Sequence, residues 1–220
     1  MSITKHYDLG LKSLVKYRPY TEDESIIRNI LIDRSEYQLF VGANPRVIYD
    51  VGANIGAASL LFLTSYPDAI IFAFEPDPEN YEILVENVKD YKRVQTYNFA
   101  LGARTEGRTL FHSDDEYNHG GHSFHKPGTD PTKSKTVPVV DVLEFTKDHF
   151  EPDMMKVDTE GCEFEILSRV AKLPRYIMGE CHGQDDYKMF DLLSATHDLK
   201  FQKEFGQRCF PFYAKRRDPS

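Results

Sequence analysis

The segment Val47 to Leu60, V-I-Y-D-V-G-A-N-I-G-A-A-S-L, restricts the fold more than any other part of this chain of 220 residues. An apolar run ends in an acid, a glycine-punctuated turn follows, and an Ala-rich stretch then starts a helix. This predicts the strand, turn and helix on which a nucleotide-like cofactor rests. Gly52 and Gly56 can take backbone angles closed to other residues and let a ligand approach the main chain. The N–H groups at the helix start offer donors. A dinucleotide-binding turn reads G-x-G-x-x-G, whereas Asn54 stands in the third position here and the next glycine is Gly56, so a dehydrogenase fits poorly. Asp50, Gly52, Ala53, Asn54 and Gly56 are the candidate cofactor contacts of this turn.

A second element lies at the distance such a fold requires. Ala69 to Phe74 reads as a buried strand that ends in Glu75, where an acid can accept hydrogen bonds from both ribose hydroxyls of a nucleoside. The helix after it is well marked: Asp77 as cap, Pro78 in the first turn, and Tyr81, Leu84, Val85 and Val88 at helical spacing.

A third motif, M-M-K-V-D-T-E-G-C-E at 154 to 163, resembles the K-[IV]-D-x-E-G-x-E block of the FkbM family of methyltransferases. The resemblance extends to D-V-G-A-N-I-G, the F-E-P at 74 to 76, N-F-A-L at 98 to 101, V-P-V-V-D at 137 to 141 and G-E-C-H at 179 to 182. It covers about residues 45 to 215 in consistent order. The D-x-G-x-N-x-G turn is likewise similar to the first motif of class I S-adenosylmethionine (SAM)-dependent methyltransferases, with Asn in place of the middle Gly. What this implies is a Rossmann-like α/β fold with SAM as cofactor: the turn against its amino-acid moiety, Glu75 on the ribose, and Asn98, Ala100 and Leu101 beside the adenine. It also implies O-methylation of a sugar, glycan precursor or secondary metabolite. An N-methyltransferase and a SAM-binding protein without turnover are the alternatives. The D-T-E-G after the fourth strand departs from the [DN]-P-P-[YF] of nucleic-acid N-methyltransferases, and the intact Glu75, Asp158 and Glu160 argue against degeneration.

Thirty-five Asp and Glu against 27 Lys and Arg give a net charge of −8, which opposes a broad grip on nucleic acid. Three cysteines without framework spacing, no apolar segment of spanning length and no signal-peptide core lead to the expectation of a soluble cytoplasmic protein with no membrane partner. The expected organisation is an N-terminal helical extension at 1–45, with a homodimer contact as one possible role, and a catalytic domain at 46–216 carrying an insertion at about 102–150.

Thr21-Glu22-Asp23-Glu24 has the form of a capping box ahead of Ile26, Ile27, Ile30 and Leu31. Strands are expected at 47–50, 69–74, 94–99, 153–158 and 175–181, alternating with helices in a doubly wound, mostly parallel sheet of seven strands. A helix over Asp191 to His197 and an antiparallel hairpin, Leu199 to Phe205 and Arg208 to Ala214 about a Gly206-Gln207 turn, complete it. Within the insertion, Thr109 to His112 and Thr136 to Val140 read as short strands around a polar loop, Ser113 to Lys135, expected to cover the acceptor. His119 and His122 in that loop are candidate substrate contacts. With His112, Asp114, Asp115 and His125 they match none of the usual zinc spacings, and no metal site is assigned.

Methyl transfer to oxygen needs an aligned acceptor and a base for its proton. Asp158 and Glu160 stand at the end of the fourth strand. Lys156 shares a strand face with Asp158, and Glu180 shares one with His182. With level strand ends, Lys156 opposes Glu180 as a buried ion pair, and Asp158 orients His182 as general base or holds it as a hydrogen-bonded structural residue. Asp158, Glu160 and His182 are thus the catalytic candidates, with Asp158 also a candidate cofactor contact and Glu180 a candidate acceptor contact.

Overall fold

The computed structural model describes residues 5–7, 11, 14–125, 129–182, 186–201 and 210–218. Its main sheet takes five strands from the alternating part of the chain: β3 (Val47–Val51), β4 (Ile70–Phe74), β5 (Val94–Tyr97), β9 (Met154–Val157) and β10 (Tyr176–Cys181). With β11 (His197–Phe201) and β12 (Phe210–Arg216) they form seven strands in the order β11-β12-β10-β9-β3-β4-β5. The pairs among β3, β4, β5, β9 and β10 are parallel, and β12 runs antiparallel to both neighbours. The order reverses beside β3, so a crevice opens beyond the carboxyl ends of β3 and β4, where ligands of open α/β sheets bind.

Side-chain alternation divides the core between the two faces. Ile48, Ile71, Ala73, Met154 and Met178 pack on one side with α2 (Ala57–Ser65). Tyr49, Val51, Phe72, Phe74, Met155 and Val157 pack on the other with Phe145 of α4 (Val142–Asp148) and Ile166 of α5 (Glu163–Arg169). Ala57 through Leu63 are all buried, so α2 is apolar on every side rather than amphipathic. Each fully buried Leu, Ile or Phe of this kind contributes about 1.5–3 kcal/mol.

The N-terminal segment is not purely helical. A strand pair, β1 (Lys5–Tyr7) with β2 (Val15–Tyr17), precedes α1 (Asp23–Ile27), which continues as a π-helical turn at Arg28–Ile32. Asn87 of α3 (Pro78–Val88) ties β2 down, its side chain accepting from Lys16 N and donating to Lys16 O. The anticipated capping box takes another form, with Thr21 Oγ1 accepting from Asp23 N at 3.3 Å and Glu24 N donating to Thr21 O. Glu22 is the cap residue and makes no side-chain cap bond, and the Asp23 carboxylate is held instead by Arg18 at 2.8 Å. In α3 the Asp77 cap and Pro78 are as expected, but Val85 is exposed while Ile83 fills the buried position.

The insertion forms its own sheet, β6-β8-β7: β6 (Ala100–Gly102), β7 (Glu106–Ser113) and β8 (Thr129–Asp141). The expected polar loop is therefore shorter, because β8 begins at Thr129. The helix α6 covers Asp186–Ser194 rather than 191–197, since His197 already pairs in β11. The Gly206-Gln207 turn lies outside the described residues. Among the described residues, no helix is long and apolar enough to cross a membrane.

Candidate functional site

A cavity of about 270 Å³ opens at the ends of β3, β4 and β9. Its floor is the turn after β3. Gly52 sits at φ 77°, and a Cβ there would fall 1.9 Å from the Asp158 carbonyl oxygen, so only glycine fits. The turn's amides are engaged internally rather than offered to a ligand: Gly52 N and Ala53 N donate to Phe74 O, Gly56 N to Ala53 O, and Asn54 N to Glu75 Oε2 at 2.8 Å. Glu75 Oε1 accepts from Asp77 N at 2.8 Å. Burial pushes the Glu75 carboxyl up to about 7 despite these two hydrogen bonds.

Gly52, Ala53, Asn54, Glu75, Ala100 and Leu101 line the cavity. Asp50, Gly56 and Asn98 are not among its lining residues. Asp50 is fully buried and accepts from Ser59 Oγ at 2.6 Å. Gly56, at φ 90°, starts α2 where a Cβ would meet Leu84 at 2.8 Å. The Asn98 amide donates to Glu75 O and Pro76 O, so it holds the F-E-P turn. All three act on the shape of the site from behind it.

The expected Lys156–Glu180 ion pair is replaced by a different one. In the β9–β10 register Lys156 lies level with Met178, not Glu180, and in the β3–β9 register it lies level with Asp50. Its Nζ sits 3.5 Å from Asp50 Oδ1 and 3.6 Å from Asp158 Oδ2, and donates to Gly52 O at 2.6 Å. Burial opposes the charge on Lys156, but Asp158 and Asp50 more than offset it and hold its pKa above the usual lysine value. Asp158 Oδ2 also accepts from the buried Tyr37 hydroxyl at 2.7 Å.

The far end of the cavity is acidic, with Glu36, Asp158, Glu160 and Glu180 in its wall. Burial, then repulsion from Asp158, pushes Glu36 up to about 7, and burial with repulsion from Asp158 and Glu36 pushes Glu180 up to about 8. His182 lies behind this wall. Its Nδ1 is 3.0 Å from Glu163 Oε1, and its Nε2 is 3.4 Å from Glu160, 3.7 Å from Asp158 and 3.8 Å from Glu180. Burial works against its charge, yet hydrogen bonding to Glu160 and Glu163 holds its pKa well above that of an ordinary imidazole. Sequence reasoning set His182 against Asp158 alone, as general base or structural residue, whereas four carboxylates stand around it here. Glu163 is an anchor: Oε1 accepts from Thr159 N, Thr159 Oγ1 and Gly161 N.

The insertion closes the other side with Asn118, His119, Gly120, His122 and Phe124. Tyr117 O accepts from Glu22 N and His119 O from the Asn80 amide, which fastens the loop to α1 and α3. The histidines fall in two places rather than one. His112 stacks on His122 at 4.4 Å, whereas His125 faces Gly161 O and Cys162. Burial pushes His122 down to about 4. Glu36, Tyr37 and Asn29 also line the cavity, and sequence reasoning missed them. The apolar spacing of Ile26 to Leu31 was the only signal near them.

The sequence model of the Methyltransferase FkbM domain matches residues 50–208. The chain belongs to the FkbM methyltransferase family. Among relatives of this family member, the hexuronic acid methyltransferase AglP of Haloferax volcanii is 26% identical over 201 residues, 89% of this chain and 76% of the relative. The 2-O-methyltransferase NoeI of Sinorhizobium fredii is 38% identical over 66 residues, 30% of this chain and 27% of the relative. The crystal structure of a fibrillarin/Nop5p complex aligns with a TM-score of 0.55 at 14% identity, over 98% of this chain and 91% of that one, a likeness of fold. The chain is a class I Rossmann-like methyltransferase, and SAM is its expected cofactor. The cavity suits that molecule in that, among the described residues, the buried Oδ1 of Asn54, which lines it, has no hydrogen-bond partner.

Proposed function

We propose that the chain is an O-methyltransferase acting on a hydroxyl of a saccharide or related polyol. The observation that carries this reading is the shared cavity: the cofactor-side acid Glu75 and the acidic wall of Asp158, Glu160 and Glu180 line one space. The names of the relatives AglP and NoeI support the choice of a sugar hydroxyl. When bound, SAM supplies an electrophilic methyl on a sulfonium centre, and the protein's part is binding, alignment and proton removal.

Glu75 and the Asn54 side chain hold the nucleoside end, and Ala100 and Leu101 give the apolar wall that an adenine ring prefers. Carboxylates accept hydrogen bonds from hydroxyls, so Asp158, Glu160 and Glu180 orient an acceptor and take the proton it loses. Tyr37 and Lys156 fix Asp158 by one oxygen, Oδ2, which leaves Oδ1 toward the wall. His119 and Asn118 close over the acceptor and exclude water. The acidic wall repels phosphate, which favours a neutral polyol over nucleic acid.

The test is incubation of the full chain with methyl-labelled SAM and a panel of methyl glycosides, uronosides, primary amines and transfer RNA. A labelled methyl ether on a saccharide is expected, with Asp158→Asn slowing turnover about 10²-fold or more. Label found on nitrogen alone, or on RNA alone, overturns the reading.

A further inference from the structure

We propose that Asp158, Glu180 and His182 form a binding site for a divalent cation of the Mn²⁺ or Mg²⁺ class at the acceptor end of the cavity. Their ligand atoms all lie within 4.8 Å of one another. Metal–ligand bonds of about 2.1 Å place neighbouring ligands about 3 Å apart and opposite ligands about 4.2 Å apart. His182 Nε2 is 3.7 Å from Asp158 Oδ1 and 3.8 Å from Glu180 Oε2, between those limits, with Glu160 Oε1 a further oxygen at 3.4 Å.

The surroundings are those of a supported ligand set rather than a chance gathering of acids. A metal-binding imidazole is commonly oriented by a carboxylate on its other nitrogen, and here Nδ1 meets Glu163 Oε1 at 3.0 Å. Glu163 is 4% exposed and is itself fixed by Thr159 N and Gly161 N, so the ring cannot easily turn. Asp158 is divided in the same way, because Tyr37 and Lys156 hold Oδ2 while Oδ1 faces Nε2. Lys156, the nearest fixed cation, is directed at Asp50 and Gly52 O and balances only part of the acidic wall.

A second cluster, Asp77 with His112 and His122, also brings its ligand atoms together. There Lys135 Nζ sits 2.7 Å from Asp77 Oδ2, and His122 Nδ1 accepts from Ser113 N, so an ammonium already fills the cation's place. In the Asp158 set the nearest ammonium, Lys156 Nζ, is 3.6 Å from Asp158 Oδ2, whereas Oδ1 is the oxygen that faces His182 Nε2. Two or three carboxylate oxygens with one imidazole nitrogen suit a hard, oxygen-preferring ion that tolerates nitrogen, which favours Mn²⁺ over Zn²⁺ or copper. A cation here would take hydroxyl oxygens of the acceptor as further ligands and make them more acidic, a consequence that rests on the hydroxyl-acceptor reading above.

The site itself is tested with neither SAM nor acceptor, so its failure is separate from a failure of that reading. The full chain is stripped with EDTA, dialysed and titrated with MnCl₂ at pH 7.5 by calorimetry and by the loss of the free Mn²⁺ electron paramagnetic resonance signal. One site per chain is expected, with a ¹⁴N coupling from imidazole in the electron spin echo modulation of the bound ion. Glu180→Gln and His182→Gln should each weaken binding at least tenfold, Glu163→Gln by about 10- to 100-fold through misplacement of the ring, and His112→Ala not at all. No binding up to roughly 1 mM Mn²⁺ overturns the proposal. So does bound Mn²⁺ without ¹⁴N coupling, a result from the intact wild type that does not depend on any variant folding, or binding lost in His112→Ala and kept in Glu180→Gln.

Discussion

Replacing Lys156 with Met tests the assignment of the buried ion pair and, with it, the strand register. The ammonium lies 3.5 Å from Asp50 Oδ1 and 3.6 Å from Asp158 Oδ2. At an effective dielectric of about 20 each contact is worth about 5 kcal/mol, close to 9–10 kcal/mol gross. Several kcal/mol of that is offset by the cost of burying the ions. Met restores most of the side chain's volume but leaves Asp50, fully buried, with Ser59 as its remaining hydrogen-bond partner. The expected loss is about 3–5 kcal/mol, the usual cost of stranding a buried charge. Urea unfolding followed by circular dichroism reads this as a midpoint drop of roughly 1–2.5 M at a slope of 2–3 kcal/mol/M. Asp50→Asn should lose a comparable amount, and the double variant should lose less than the sum of the two. Glu180→Gln should be neutral or stabilising, since it removes one like charge from an acidic wall. A Lys156→Met loss below about 1 kcal/mol, or a Glu180→Gln loss matching that of Asp50→Asn, would refute the reasoning.

With Glu75 on the ribose as proposed and its carboxyl pushed up to about 7 by burial, cofactor binding should depend on pH. A folded-state pKa above the ordinary carboxylate value means that the folded chain holds the extra proton between about pH 4.5 and 7, so this group's contribution to stability falls as pH rises through that window. A ribose held by the ionised form is bound more tightly once the proton has left. SAM affinity by calorimetry should therefore tighten by up to about tenfold from pH 6 to pH 8, and Glu75→Gln should flatten the profile; a wild-type affinity constant over that range contradicts the ribose assignment. Cys162 is 3% exposed, and burial pushes its thiol up to about 12. It should stay unlabelled by a disulfide reagent at pH 8 until the chain unfolds, as read by peptide mass spectrometry, and rapid labelling of native Cys162 would count against the packing described.

Much of the fold was legible because the parallel strands, buried on both faces, read as near-continuous apolar runs and their ends carry glycine or acid. The turn at Gly52, the acid at Glu75 and the D-T-E-G after β9 located the cavity for the same reason. The Lys156 partner was not legible. A strand pattern repeats every two residues, so a register shift of two leaves every side chain on its own face and changes only its neighbour. Parity alone therefore assigned Glu180 where the structure has Met178. Tyr37 and Glu36 lie in an irregular segment with no period to read, and tertiary packing alone brings them beside Asp158 and Ile30. The surroundings of His182 were not legible for another reason: the charges around it come from Asp158, Glu160 and Glu163 as well as its own strand, and their sum is visible only in three dimensions.

Asp77 joins the main sheet to the insertion at the back of the cavity. Its Oδ1 caps α3 through Glu79 N and Asn80 N, while its Oδ2 meets Lys135 of β8 at 2.7 Å. Its own amide donates to Glu75 at 2.8 Å. The acid that ends β4 and the long strand of the insertion thus hang from one residue. Lys135, on the strand behind the segment from His112 to His125, thereby ties the base of that segment to the turn that carries Glu75.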